Sequence, residues 1–355
     1  MLELSTEVMH RLGASVLDQI VQHRAGLAER PASRVLSRRD ADRLLDEPLP
    51  LSGTDPEALL ERLKAEVFAN VSHVDHPRFF AFVPGPGNFI AAMGAALAAG
   101  HNIFAGTWLG GSAAARLEQT VLDWLKVLVG FPDPAGGLFV SGGSMANLTA
   151  IGAARHARLG AHDRHGIIYF SDQTHSAVER ALRVMGFSAE DMRRIPADPV
   201  RGLDARALSE MVQADRAAGG EPFCVVANAG TTNTGAVDPL TAIADLCDDE
   251  SLWLHVDGAY GAAAVLGTRG RAALAGLDRA DSIALDPHKW LFQPFECGCL
   301  LVRDAAPLRA AYAIHPEYMR DTLLEDEETN YCEYGVQLSR SFRALGLWLT
   351  LKTFG

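Results

Sequence analysis

The sequence predicts an α/β protein with a mostly parallel central sheet, helices on both faces and a preceding N-terminal helical segment. From about residue 138 onward, short apolar runs alternate with helical stretches. Several of those runs are apolar on both faces, as strands covered by helices require. The first 75 residues carry helical periodicity instead. Taken in order, Val8, Leu12, Val16 and Ile20 form one stripe on an amphipathic helix. Arg30 to Gly53 is charged and proline-containing, which predicts a surface course. Asp55 and Pro56 read as an N-cap and first-turn proline, with Leu59, Leu63 and Val67 on the buried face of a second helix. Strands are predicted at Leu138 to Ser141, Ile167 to Ser171, Phe223 to Asn228, Leu252 to Asp257, Ser282 to Asp286 and Gly298 to Val302. Helices fit Ala146 to Arg158, Ser176 to Met185, Asp204 to Ala218, Pro239 to Asp248 and Phe342 to Phe354. Ligands of such sheets bind beyond the carboxyl ends of the strands, so chemistry is sought directly after those runs.

Composition narrows the functional classes. A chain of 355 residues suggests roughly two domains. Hydrophobic residues at 48% and charged residues at 21% exclude a disordered or fibrous chain. Lys and Arg number 32 against 44 Asp and Glu, a net charge of −12, so the basic footprint of nucleic-acid binding is missing. The weakly polar run Phe89 to Gly100 falls short of the ~20 residues that span a bilayer. Met1 to Arg11 carries Glu3, Glu7 and Arg11 and leads into no apolar signal core, so no export is expected. Five cysteines without a CxxC pair predict neither a disulfide framework nor a zinc knuckle, and a reducing cytoplasm is expected. His73 with His76, and His162 with His165, have i,i+3 spacing but no Cys or acidic cluster to complete a set, so no metal is predicted. Cys297 and Cys299 alternate on a strand, where packing explains them.

Four strand-end segments carry candidate chemistry. Ser141-Gly142-Gly143-Ser144 follows a strand and opens a helix, which makes either an anion seat or an ordinary glycine turn. Asp257, ending an apolar strand before Gly258 and Ala259, needs a cationic partner or else caps a helix. Lys289 follows another apolar strand between His288 and Trp290, where an apolar wall makes an amine nucleophilic, although a surface lysine is the plainer alternative. His175, in Asp172 to Ser176, can stack on a ring, move protons or cap the next helix. Together, an anion seat, a ring, a strand-end Asp and a later strand-end Lys make the set that binds pyridoxal phosphate.

At these residues the sequence resembles the group II pyridoxal-phosphate decarboxylases, which include aromatic-L-amino-acid, histidine and glutamate decarboxylases. His288-Lys289-Trp290-Leu291 is close to the family's cofactor-lysine signature. His76 to Phe82, Asp172 to Ala181 and Ser339 to Leu345 are similar to other family blocks. The resemblance implies the pyridoxal-phosphate-dependent transferase fold type I, of the aspartate aminotransferase kind. It divides the chain into a dimer-embracing helical segment, 1–75, a large cofactor domain, 76–340, and the start of a truncated C-terminal domain, 341–355.

Site roles follow from the same resemblance. Lys289 is implied as the residue joined covalently to the cofactor, and Asp257 as the partner of its protonated ring nitrogen. Opposite charges about 4 Å apart at an effective dielectric of ~20 attract by about 4 kcal/mol, enough to keep that nitrogen protonated. His175 and Ala259 are implied on opposite ring faces, with Gly143, Ser144, Thr231, His288 and Ser282 near the phosphate. Tyr331 is implied as the proton donor to the former α-carbon, with Tyr334 as the alternative. Tyrosine there favours amine formation, whereas related aldehyde synthases carry Phe. Phe82, Pro84, Phe104 and Trp108 imply an apolar pocket, with Phe104 and Trp108 serving a neighbouring subunit of a homodimer.

The implied reaction is decarboxylation of an L-amino acid, aromatic in preference to glutamate-like or diamino acids. Transamination, aldehyde synthesis and a catalytically incompetent truncated chain are the alternatives. Asp286 stands where animal aromatic decarboxylases have Asn, and Gly142-Gly143 where they have Ser-Ala. Val74 and Gly106 replace bulky aromatic residues, which implies a pocket that is wider or filled differently.

Overall fold

The structure is a computed structural model that describes residues 3–160, 166–200, 202–314, 317 and 328–355. Contacts divide the chain into two compact units, Met1–Phe82 and Val83–Gly355.

In the first unit, Ser5 caps α1 (Thr6–Ala25), Ser37 caps α2 (Arg38–Leu45) and Asp55 caps α3 (Pro56–Arg62). Each cap oxygen accepts a backbone N–H of the first turn, where the helix cannot satisfy its own donors. The expected burial is only partial. Val8, Leu12 and Ile20 are half-buried while Val16 is exposed, and Leu59 and Leu63 remain 41% and 40% exposed. After Arg62 the predicted second helix changes to π and then 3-10 geometry, from Leu63 to Asn70. Arg62 holds that junction through Glu47 at 2.8 Å and Glu66 at 2.7 Å. Within the first unit, which extends to Phe82, His76 and Arg78 bind the carbonyls of Arg30 and Ala28. His73 pairs by ring contact with His23, 5.1 Å between centroids, and His23 lies 3.7 Å from Asp75. This grouping differs from the His73–His76 pair considered from spacing. His162 and His165 lie outside the described residues.

The second unit contains helices α4 (Phe89–Gly100) and α5 (Trp108–Val129), then β1 (Gly136–Val140), α6 (Gly143–Leu159), β2 (Ile167–Ser171), α7 (Ser176–Val184) and β3 (Met192–Ile195). There follow α8 (Ala205–Ala217), β4 (Pro222–Asn228), α9 (Leu240–Asp249), β5 (Trp253–Asp257), α10 (Thr268–Ala273) and β6 (Ser282–Leu285). The chain continues through α11 (Pro287–Trp290), β7 (Gly298–Val302), α12 (Ala306–Tyr312) and α13 (Ala344–Phe354). The sheet order is β1-β7-β6-β5-β4-β2-β3. Among the described strands, β7 is antiparallel to both neighbours, β1 and β6, and the other pairings are parallel. The mostly parallel sheet predicted from the apolar runs is therefore present. β3 was not predicted, because its Met-Arg-Arg-Ile sequence is polar, as an edge strand paired only to β2 can be.

Side chains alternate across the sheet and serve two apolar layers. Along β4, Cys224 and Val226 meet Ile151 and Ala154 of α6 and Val178 and Leu182 of α7. Val225 and Ala227 join Leu208 and Val212 of α8 and Ile243 of α9. All five cysteines are free and buried, in agreement with the packing role read for Cys297 and Cys299. No helix among the described residues is long and apolar enough to cross a membrane.

One buried ion pair ties the segment before α13 to the sheet. Arg340 Nη2 lies 2.5 Å from Glu118 Oε1 and donates to Phe139 O at 2.8 Å, while Nη1 donates to Ala105 O at 2.7 Å. Glu118 also accepts from Phe139 N. Both side chains are almost completely buried, so removing one leaves an uncompensated charge. Arg340→Leu is expected to lower unfolding stability by about 3–5 kcal/mol, measured from denaturant midpoints.

Candidate active site

The site lies where β1, β2, β4, β5 and β6 end. β1 turns through Ser141 and Gly142 into α6, whose start has no side-chain cap. The first N–H groups of α6 are therefore available to an anion. The strand facing the turn has to carry glycine, because a Cβ on Gly298 would come within 2.4 Å of Gly142 Cα. A Cβ on Gly143 would meet Ala259 Cβ and Asp286 Oδ2, each at 3.0 Å.

Asp257 ends β5. Its Oδ2 accepts from Asn147 Nδ2 at 3.0 Å and its Oδ1 from Ala259 N at 3.2 Å. Lys289 Nζ, in the short helix after β6, lies 3.0 Å from Asp286 Oδ2. His288 Nε2 is 3.6 Å from the same oxygen, and its Nδ1 accepts from Cys297 N. Burial raises the Asp286 pKa, with Lys289 the main opposing influence, and burial lowers that of His288. Asp286 Oδ1 is buried without a hydrogen-bond partner.

His175 ends the β2 segment and caps α7, its Nδ1 accepting from Ala177 N at 3.2 Å. It also lines the cavity, so the capping reading and the ring-facing reading are compatible. Beyond β4, Thr231 and Thr234 share a 2.7 Å hydroxyl contact. A cavity of about 360 Å³ brings together Gly143, Ser144, His175, Thr231, Asp257, Ala259, His288 and Lys289. Asn147, Asn228, Tyr260, Asp286 and Glu296 line it as well. Asn147 was legible in principle, since it stands four residues after Gly143 on one helix face.

Several expected residues lie elsewhere. Ser282 is fully buried and bound to His255 Nδ1 at 2.8 Å and Trp253 Nε1 at 2.9 Å, so it does not face the anion seat. Tyr331 is 2% exposed, beneath the Arg340 guanidinium at 4.8 Å from its ring, and borders a separate cavity together with Tyr334. Burial raises its pKa well above the ordinary phenol value, so it keeps its proton. Phe104 lines another cavity, of about 570 Å³, with Arg340 and Phe342. Trp108 starts α5, with its backbone N–H bound to Asn330 Oδ1. Pro84 is half-buried and does not line the Lys289 cavity, while Phe82 and Val74 belong to the first unit. Space beside Gly106 is filled by the Phe104 ring and the Leu338 carbonyl, so the missing aromatic there does not widen a pocket.

An amine, a strand-end carboxylate and an uncapped helix start at one sheet edge define a fold type I enzyme that works through pyridoxal phosphate. The donor set fits that group: α6 offers N–H groups to a phosphate, Asp257 offers a carboxylate to a ring N–H, and Lys289 offers an amine to an aldehyde. The chain belongs to the pyridoxal-dependent decarboxylase family, whose conserved-domain model matches residues 39–355. It is 48% identical over 355 residues to an aromatic-L-amino-acid decarboxylase of Bacillus atrophaeus, covering 100% of this chain and 74% of that protein. It is 31% identical to a phenylacetaldehyde synthase of Petunia hybrida, covering 99% and 72%. A crystal structure of Oryza sativa TDC with PLP and tryptamine superposes with a TM-score of 0.94 at 31% identity, covering 100% of this chain and 76% of that one. The chain is thus a pyridoxal-phosphate-dependent amino acid decarboxylase by family.

His255, behind Asp257, is completely buried, and burial pushes its pKa from 6.5 down to about 4. A lowered histidine pKa means that the folded state favours the neutral ring. The resulting stability is complete above 6.5 and is lost as pH falls toward 4. Comparing thermal unfolding of the wild type with His255→Gln across that window should isolate this loss as a flatter profile in the variant.

Proposed function

We propose that this enzyme decarboxylates aromatic L-amino acids to the corresponding amines and carbon dioxide, as a cytoplasmic homodimer. The observation that carries the reading is the convergence of Lys289, Asp257, His175 and the Gly142–Ser144 turn on one cavity, in a chain of this family. Pyridoxal phosphate, when bound, supplies the electron sink that accepts the pair left on the α-carbon as carbon dioxide departs.

The protein's part is to hold, orient and neutralise. The first turn of α6, with Ser144 and Thr231, offers the phosphate its donors. Asp257 presents a carboxylate to the ring nitrogen and is prevented from turning by Asn147 and the Ala259 N–H. His175 is anchored through Nδ1 to the start of α7, which leaves its ring face for stacking. Lys289 supplies the amine, and Asp286 stands within ion-pair distance to keep it at the mouth of the α11 turn.

The aromatic preference is supported by the relatives' substrates, as their names state them: 48% identity to the aromatic-L-amino-acid decarboxylase, and 35% identity over 320 residues to tryptophan decarboxylase 1 of Oryza sativa subsp. japonica. The dimer is supported by the apolar side chains that the first unit leaves exposed on its helices, among them Val16, Leu17, Val21 and Leu59. Five unpaired thiols agree with a reducing compartment.

Carbon dioxide and amine release should be measured across phenylalanine, tyrosine, tryptophan, glutamate and 2,4-diaminobutyrate. Aromatic substrates are expected to dominate, and Lys289→Ala should abolish turnover and any borohydride-fixed cofactor on the protein. An oxo acid product with the carboxylate retained would overturn the reading. For Tyr331 the proposal is proton delivery to the former α-carbon. Tyr331→Phe is then expected, with dioxygen as oxidant and water as co-reactant, to give the aldehyde, carbon dioxide, ammonia and hydrogen peroxide in place of amine; an unchanged amine yield would confine Tyr331 to packing under Arg340.

A further inference from the structure

We propose that Asn147, His255 and Ser282 are positioning residues for the reaction, joined in a one-way chain of hydrogen bonds that starts at Trp253 and ends on the carboxylate of Asp257. This rests on the reading of Asp257 as the partner of the cofactor ring nitrogen.

The direction of each bond follows from chemistry at the two ends. The indole Nε1 of Trp253 can only donate, so Ser282 Oγ accepts from it at 2.9 Å. The Ser282 hydroxyl proton is then free to point to His255 Nδ1, 2.8 Å away. With Nδ1 accepting, the ring proton of a neutral His255 sits on Nε2, which donates to Asn147 Oδ1 at 2.7 Å. The Asn147 carbonyl is thereby committed, and its NH₂ must face Asp257 Oδ2 at 3.0 Å. At the far end a carboxylate can only accept. No link can be reversed without setting donor against donor or acceptor against acceptor.

Burial makes that choice binding. Trp253, Ser282, His255 and Asn147 are each at most 4% exposed, so water cannot substitute for a mismatched partner. The strand pattern explains the assembly. His255 and Asp257 are two residues apart on β5 and share a face, while β5 and β6 pair His255 with Ser282 in register. Asn147 reaches the same point from α6, one turn after the anion seat. The chain therefore locks Asp257 to the helix that holds the phosphate and to the strand that precedes Lys289.

Ser282→Ala removes the atom that selects the His255 tautomer and leaves the cavity walls untouched. In the full-length protein this variant is expected to lower kcat about tenfold with little change in KM. It should weaken pyridoxal phosphate binding to the apoenzyme by a similar factor and shift the absorption maximum of the bound cofactor. Ser282→Thr, which keeps the hydroxyl, should restore all three. If Ser282→Ala keeps the wild-type spectrum, cofactor affinity and kcat, the proposal is overturned, even where its melting temperature falls, because Ser282 would then only pack. Asp257→Ala separates the two levels: if it also leaves cofactor binding and turnover intact, the underlying reading of Asp257 fails; if it impairs both while Ser282→Ala impairs neither, only the chain fails.

Discussion

The parallel run of β2, β4, β5 and β6 is the constraint on which the rest of the site depends. Parallel strands carry their carboxyl ends to one edge, so Ser171, Asn228, Asp257 and Leu285 all finish on the same side of the sheet. Register sharpens this arrangement, since Asn228 pairs with Asp257 and Asp257 with Ala284. Residues more than a hundred positions apart in the chain thus become neighbours without any of the loops having to find them. The antiparallel β7 completes the edge from the other direction, bringing Gly298 so close to the Gly142 backbone that Gly298 cannot bear a side chain there.

Charge at that edge is handled in two different ways. Asp286 is buried, faces Lys289 and His288, and keeps one oxygen without a partner. Its charge is met by the Lys289 amine at 3.0 Å, while burial favours the neutral form of the neighbouring His288. Asp257 is served by neutral donors, Asn147 and the Ala259 N–H, backed by a buried chain of further neutral groups. Burying a carboxylate is costly unless its lone pairs are met. Meeting them with neutral groups leaves the charge itself available to a ligand, whereas a lysine or arginine in the same place would consume it.

The site was legible in the sequence wherever local chemistry marks it. Glycines after an apolar run, an Asp at a strand end and a Lys after another strand need only the immediate neighbours to be read, and all of them line one cavity. The edge strand β3 was missed because one exposed side leaves no apolar signature in Met-Arg-Arg-Ile. Ser282 was placed near the phosphate by the family resemblance, yet strand alternation turns it to His255. Tyr331 was placed by alignment alone, and its surroundings in this chain are Arg340, Glu118 and the α5 helix, none of which its own segment announces.

What the sequence by itself determined is the order of elements, the class of sheet and the residue types able to hold an aldehyde, a ring nitrogen and a phosphate. Apolar periodicity and strand-end glycines are local, and local patterns survive in one dimension. Only the tertiary structure decided which of these groups meet. It paired Asn147 with Asp257 across 110 positions of chain and Arg340 with Glu118 across 222. The physical reason is that hydrogen bonds and buried charges are satisfied by whatever lies within about 3 Å in space, a distance that no spacing along the sequence encodes.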